Sequence, residues 1–139
     1  MTNTTTHTAA VASMYDAFGR GDIAGIMSHL SEEVTWDVTE EPWSPHAADV
    51  PWLRPRRGHA EVVSFFEIVR EWNYERFEVL DMLTSETKVA VEIRLTADLP
   101  NGKRIDEEVI HLWTFGPEGK VINLRRMLDT AANIAAAQP

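Results

Sequence analysis

His111 sits in the alternating run Glu107-x-Val109-x-His111-x-Trp113, which puts four side chains on one face of a strand. An imidazole with an ordinary pKa near 6.5 is a usable acid or base where it borders water, and a satisfied core residue where it does not. Two arginines bear on the same question. Arg94 follows Glu92 on one face of the alternating segment 88–99, and Arg126 lies in the run Leu124-Arg125-Arg126-Met127-Leu128-Asp129. Buried guanidiniums need carboxylate partners, and Glu92 and Glu107 are the candidates. An arginine left over would grip a substrate carboxylate in a bidentate fork, or hold negative charge that develops during a reaction.

The aromatic residues suggest where such chemistry would sit. Trp36, Trp43, Trp52, Trp72 and Trp113 are five tryptophans in 139 residues. Trp72 is at helical spacing and belongs to a core. Trp36 and Val38 share a strand face, and Trp43 and Trp52 fall in a proline-rich loop. With Tyr15, Phe66, Glu107, Trp113, Leu124 and Leu128 they make the expected lining of a pocket. Such a pocket suits a flat hydrophobic ligand, with indole N–H groups as extra donors; alternatively the rings only plug the open end of a fold.

Other chemistries drop out. There is no cysteine, hence no disulfide, thiolate metal site or cysteine nucleophile. His29, His46 and His59 have no metal-ligand spacing with one another or with an acid, so the expectation is no metal and no cofactor. Neither a glycine-rich phosphate loop nor a nucleophilic serine motif is present. Thirteen Lys and Arg stand against 22 Asp and Glu, a net charge of −9 that repels nucleic acid but does not exclude a small anionic ligand. No apolar run is long enough to span a membrane. Met1 to Thr8 is Thr-rich with no basic start, so it does not read as a signal peptide, and a cytoplasmic protein is expected.

The elements that must position these residues follow from periodicity. With 44% apolar and 25% charged residues, the chain reads as one globular domain, 1–139. Residues 1–7 are expected to be a loose tail. Val11, Met14, Tyr15 and Phe18 form a helical stripe that ends at Gly19 and Gly21, and Asp22 caps a second short helix. Glu33 to Thr39 alternates as a strand. Glu40 to Arg57, with four of the seven prolines, is a long loop of the kind that roofs a site. His59 to Trp72 is the clearest helix. Residues 74–84, 88–99, 104–115 and 119–129 read as four strands with short connections, hence antiparallel neighbours. Thr130 onward is an alanine-rich helical tail. Helices segregated from a meander give an α+β class: a curved antiparallel sheet wrapped around three helices, leaving a cone-shaped cavity.

Three stretches carry a family likeness: Met14-Tyr15-Asp16-Ala17-Phe18-Gly19-Arg20-Gly21-Asp22, Pro51-Trp52-Leu53-Arg54-Pro55-Arg56-Arg57-Gly58, and Phe115-Gly116-Pro117-Glu118-Gly119-Lys120-Val121. They resemble SnoaL-like proteins of the nuclear transport factor 2-like superfamily, and the element order agrees across nearly the whole chain. That resemblance implies the cone-shaped fold, a small-molecule pocket and a homodimer. By likeness to limonene epoxide hydrolases, the polar face of strand 88–99 looks inward. Glu92 and Arg94 would then line the cavity, and Val89, Val91, Ile93 and Leu95 would form an outer patch for a partner subunit. The alternative keeps the polar face in solvent. Against those hydrolases the charges are inverted at Glu92, Arg94 and Arg126, so their water-activating mechanism is not implied. Ketosteroid isomerases align Val38 with their base, Asp37 being one residue off, and match His111 to an oxyanion-hole acid. Polyketide cyclases of the SnoaL type match His111 to a histidine, but their last-strand acid is missing. The reading is a cofactor-free acid–base enzyme on a hydrophobic carbonyl compound, such as an isomerase, dehydratase, cyclase or hydrolase. His111, Arg94, Arg126 and Glu92 would be its catalytic groups, and a hydrophobic or anionic aromatic small molecule its partner. The rival is a non-catalytic binding or dimerisation module with closed salt bridges in the cone.

Overall fold

The computed structural model describes residues 3–38 and 49–139. Trp43, His46 and the first half of the expected roofing loop lie outside the described residues. The order is α1 (Asn3–Gly19), α2 (Ile23–Met27), β1 (Leu30–Trp36), a short 3-10 turn (Pro51–Leu53), β2 (Arg56–Arg57), α3 (Gly58–Val69), β3 (Asn73–Thr84), β4 (Lys88–Asp98), β5 (Arg104–Phe115), β6 (Val121–Met127) and α4 (Thr130–Ala137). The class is α+β, as expected: one six-stranded curved sheet, ordered β2-β1-β6-β5-β4-β3, with α1, α2 and α3 gathered against it. The sheet does not close into a barrel, and it is mixed. β1 runs parallel to β6, with Trp36 opposite Leu124, while the pairs from β3 to β6 are antiparallel. No helix among the described residues is long and apolar enough to cross a membrane.

Local chemistry explains the boundaries. Val11, Met14 and Ala17 bury one stripe of α1, and the Asp22 carboxylate accepts the Gly25 N–H at 2.9 Å to start α2. α3 buries Val62, Phe66 and Val69. In β3 the half-buried residues are Tyr74, Phe77 and Met82, spaced three and five apart instead of two. Irregular register between Tyr74 and Arg76 and between Val79 and Asp81 accounts for that spacing and bends the strand. The N-terminal segment expected to be loose is helical from Asn3, and His7 is buried with its ring stacked on Phe115 at 4.0 Å. The C-terminal helix is held too: Asp129 caps it, and Asn133 and Ala136 are buried.

One expectation reverses. Val89, Val91, Ile93 and Leu95 are 0, 0, 1 and 9% exposed, because they face the helices. Glu92 and Arg94 therefore stand on the convex face and do not line the cavity. Arg94 pairs there with Asp106, which also accepts from Thr96 Oγ1 at 3.1 Å. The cause is the cost of desolvating two charges, set against apolar burial of the opposite face within the same chain. The four aliphatic side chains are accordingly not available as an outer patch for a partner.

Candidate functional site

The space between the concave sheet face and the helices is a chamber of about 100 Å³ with walls that are almost wholly apolar or aromatic. Of the residues expected to line it, Tyr15 reaches it from α1 and Phe66 from α3. Trp36 comes from β1 and Trp52 from the 3-10 turn. His111 and Trp113 come from β5, and Leu124, Arg126 and Leu128 from β6 and its end. Cross-strand register explains the grouping on the sheet. Val91 is opposite His111, and His111 is opposite Arg126, so the three share the concave face.

The polar groups of the chamber form a directed chain. Trp113 Nε1, a donor only, gives its hydrogen to Tyr15 Oη at 3.0 Å, and Tyr15 Oη lies 2.7 Å from His111 Nδ1. With Tyr15 donating onward, His111 accepts at Nδ1 and carries its proton on Nε2. Burial, then the nearby Arg126 charge, push the His111 pKa down to about 3, so the ring is neutral at ordinary pH. Burial pushes the Tyr15 hydroxyl far above its ordinary value, against a smaller opposing effect of the Trp113 hydrogen bond. The histidine is thus a neutral hydrogen-bond donor whose free edge has no partner among the described residues. Its remaining exposure is toward the chamber it borders. The buried Trp36 Nε1 likewise finds no acceptor among the described residues.

Arg126 is paired, but not with the acids expected. Its Nε donates to Asp37 Oδ2 at 2.8 Å, its backbone N–H to Asp37 Oδ1 at 2.9 Å, and its Nη2 to the Trp52 carbonyl at 2.6 Å. Asp37 reaches it because its φ of 57° breaks the strand after Trp36. The same break takes Val38 off the Trp36 face, and Val38 does not line the chamber. Asp is among the residue types that tolerate this left-handed conformation, the one signal in the sequence that marked it. The sequence reads Arg54, Arg56 and Arg57, with their prolines, as a solvated turn, and for Arg56 the structure corrects that reading. Arg56 is buried and donates to the carbonyls of Arg54 and Pro51 at 2.9 and 2.8 Å. Burial and the neighbouring Arg126 charge lower its pKa. Both guanidiniums lie over the Phe65 ring, at 5.5 and 4.6 Å from its centroid. Among the described residues, two largely buried carboxylates act on this pair: Asp37, bonded to Arg126, and Glu107, which lies close enough to feel the Arg126 charge; Glu61 is at the surface. The Arg126 charge in turn reaches His111 at that end of the chamber.

Glu107, expected in the lining, is buried beside the chamber instead. It accepts from Asn133 Nδ2 at 2.9 Å, and Asn133 Oδ1 accepts from Trp52 Nε1 at 2.8 Å. Burial raises the Glu107 pKa more than the Asn133 hydrogen bond lowers it. Asn133 was missed; its only mark in the sequence is being the one amide within an alanine-rich helix. Among the described residues no three His, Asp or Glu side chains converge as metal ligands would.

Solved structures share this architecture. A nuclear-transport-factor-2-like protein from Burkholderia xenovorans superposes with a TM-score of 0.81 at 21% identity, covering 97% of this chain and 98% of its own. TerC, co-crystallised with polyporic acid, gives 0.77 at 20% identity over 96% of this chain and 99% of its own. A protein from Jannaschia, provisionally named a SnoaL-like polyketide cyclase, gives 0.72 at 19% identity over 98% and 95%. These likenesses establish the fold. A search of the curated proteins finds no match. The model of the SnoaL-like domain matches residues 11–124, most of the chain and all of the chamber walls except Arg126 and Leu128, and the protein belongs to that family.

Proposed function

We propose that the chamber binds a flat, mostly apolar small molecule through one oxygen that bears full or partial negative charge. The carrying observation is the chain from Trp113 through Tyr15 to a neutral His111, with Arg126 on the same wall. His111 Nε2–H donates to the ligand oxygen, and the Arg126 charge on the same wall favours the anionic form. In a reaction, hydroxide or water from solvent takes the α-proton of a carbonyl compound and the same donors stabilise the enolate left behind, which makes a cofactor-free isomerase, cyclase, dehydratase or hydrolase chemistry the natural class. His111 acts as donor and not as base, since its pKa is too low for proton abstraction at neutral pH. The names of the Jannaschia protein and of TerC's ligand agree with small-molecule work in this fold.

A second reading, a binding module without catalysis, is favoured by one observation. Asp37 is held by Arg126, and no carboxylate lines the chamber among the described residues, so a general base is missing. Two measurements separate the readings. Titration of benzoate and benzamide against tryptophan fluorescence should give tighter binding of the carboxylate, by about 1.5–3 kcal/mol for hydrogen bonds to a charged group. Equal affinities, or no binding by either, would sink the anion-binding reading. Deuterium exchange at the α-carbon of an enolisable aryl ketone, followed by NMR, should be accelerated by the wild type and not by His111→Gln. Exchange at the uncatalysed rate in both leaves the binding module.

A further inference from the structure

A second and larger space adjoins the chamber. It is an open cleft of about 610 Å³ between the ends of α1 and α3, α2, and β3. Tyr15, Phe18, Phe66, Trp72, Tyr74 and Phe77 wall both spaces. Their rings contact one another, with centroids 5.2 Å apart for Phe18 and Phe77, 5.7 Å for Phe18 and Tyr74, and 6.0 Å for Tyr15 and Phe77. They make an aromatic partition. Phe18, Tyr74 and Phe77 are only partly buried, so the partition is bounded by cleft on one side and chamber on the other.

The two ends of the chamber differ. Arg126, His111, Trp36 and Leu124 belong to the chamber alone, whereas the six rings are shared with the cleft. A ligand whose oxygen meets His111 and Arg126 therefore points its far end at the partition. The chamber by itself is small: a cavity of roughly 150 Å³ is what holds one benzene. The cleft falls in the range of about 300–1,000 Å³ typical of small-molecule sites. Its charged rim residues, Asp16 and Arg70, sit in exposed pairs with Arg20 at 3.0 Å and Glu71 at 3.7 Å, while aromatic rings make up much of its wall.

We propose that chamber and cleft are two halves of one binding site. The oxygen-bearing end of a ring enters the chamber, the rest of the ring and an uncharged apolar extension opposite that oxygen reach into the cleft, and the Phe18 and Phe77 rings part to let the ligand pass. The ligand class is an aryl carboxylate or aryl ketone with an alkyl or aryl extension distal to its oxygen. The placement of the oxygen rests on the function proposed above; the cleft and the partition do not.

Calorimetric titration with benzoate, 4-butylbenzoate and 2-butylbenzoate tests this. Each fully buried methylene tightens binding about fourfold, so a butyl chain even half buried makes 4-butylbenzoate at least about tenfold tighter than benzoate. The 2-butyl isomer, whose chain points elsewhere, should gain little. Val79 lines the cleft but not the chamber and is 36% exposed, so Val79→Trp narrows the cleft without disturbing the core. In that variant the ratio between 4-butylbenzoate and benzoate should fall severalfold. Phe77→Ala, which opens the partition, should speed association of 4-butylbenzoate in stopped-flow measurements. Equal affinity of benzoate and 4-butylbenzoate for the wild type overturns the two-part site and leaves the chamber reading intact. An undiminished ratio in Val79→Trp, or an equal gain from the 2-butyl isomer, also overturns it. Failure of all three compounds to bind overturns both proposals.

Discussion

Replacing Tyr15 by Phe tests the directed hydrogen-bond chain at its centre. The hydroxyl makes two bonds, accepting from Trp113 Nε1 at 3.0 Å and donating to His111 Nδ1 at 2.7 Å. Each bond contributes about 0.5–1.5 kcal/mol net, and a buried donor left without a partner costs about 1–3 kcal/mol. Trp113 is 4% exposed, and among the described residues its N–H has no partner besides Tyr15. Tyr15→Phe should therefore destabilise the fold by about 2–4 kcal/mol in urea denaturation. Tyr74→Phe is the control, because its hydroxyl makes one bond, to the Val69 carbonyl at 3.1 Å, and should cost about 1 kcal/mol. The second readout is the tautomer. Nitrogen-15 NMR of wild-type histidine should find His111 protonated at Nε2, and Tyr15→Phe should mix the two tautomers because Nδ1 loses its donor. A wild-type ring protonated at Nδ1 would refute the direction of the chain. A Tyr15→Phe variant no less stable than Tyr74→Phe would refute its energetic weight.

Ile93→Glu places a carboxylate at a site that is 1% exposed and should unfold the domain, at a cost of about 4 kcal/mol or more; a well-folded variant by circular dichroism would contradict the inward aliphatic face. Arg94→Ala removes a surface ion pair and should cost under about 1 kcal/mol, whereas Arg126→Leu strands Asp37 and should cost about 3–5 kcal/mol; similar losses in denaturation would mean that the two arginines are not so differently placed. The pH dependence has a definite sign. Because the folded His111 pKa of about 3 lies below its unfolded value near 6.5, the unfolded state takes up the proton first. Stability present at neutral pH is lost as pH falls from about 6.5 toward 3, by up to roughly 5 kcal/mol from this group. His111→Gln should flatten the acid limb of the stability curve, and an identical slope in both proteins would count against a buried neutral imidazole.

Much of the fold was legible in the sequence because periodicity is local. The stripe Val62, Phe66, Val69 forms a buried helix face in α3, and the turns after residues 84, 99 and 115 delimit four antiparallel strands. His111 was legible as well, since it alternates with Val109 and Trp113 and all three line the chamber. Alternation in β4, by contrast, establishes only that its two faces differ. Which one faces inward depends on the helices that cover it, and those buried Val89, Val91 and Ile93 while leaving Glu92 and Arg94 outside. The pairing of Arg126 with Asp37 depends on β1 lying parallel beside β6 and on one left-handed residue, across 89 positions of sequence. The link from Trp52 through Asn133 to Glu107 joins residues 81 and 26 positions apart. Side-chain type and spacing thus determined which elements form and which face of each is apolar. The partner of each buried charge was decided by long-range strand adjacency, because a desolvated ion is satisfied by whatever the fold brings within hydrogen-bond distance, and no local pattern records that.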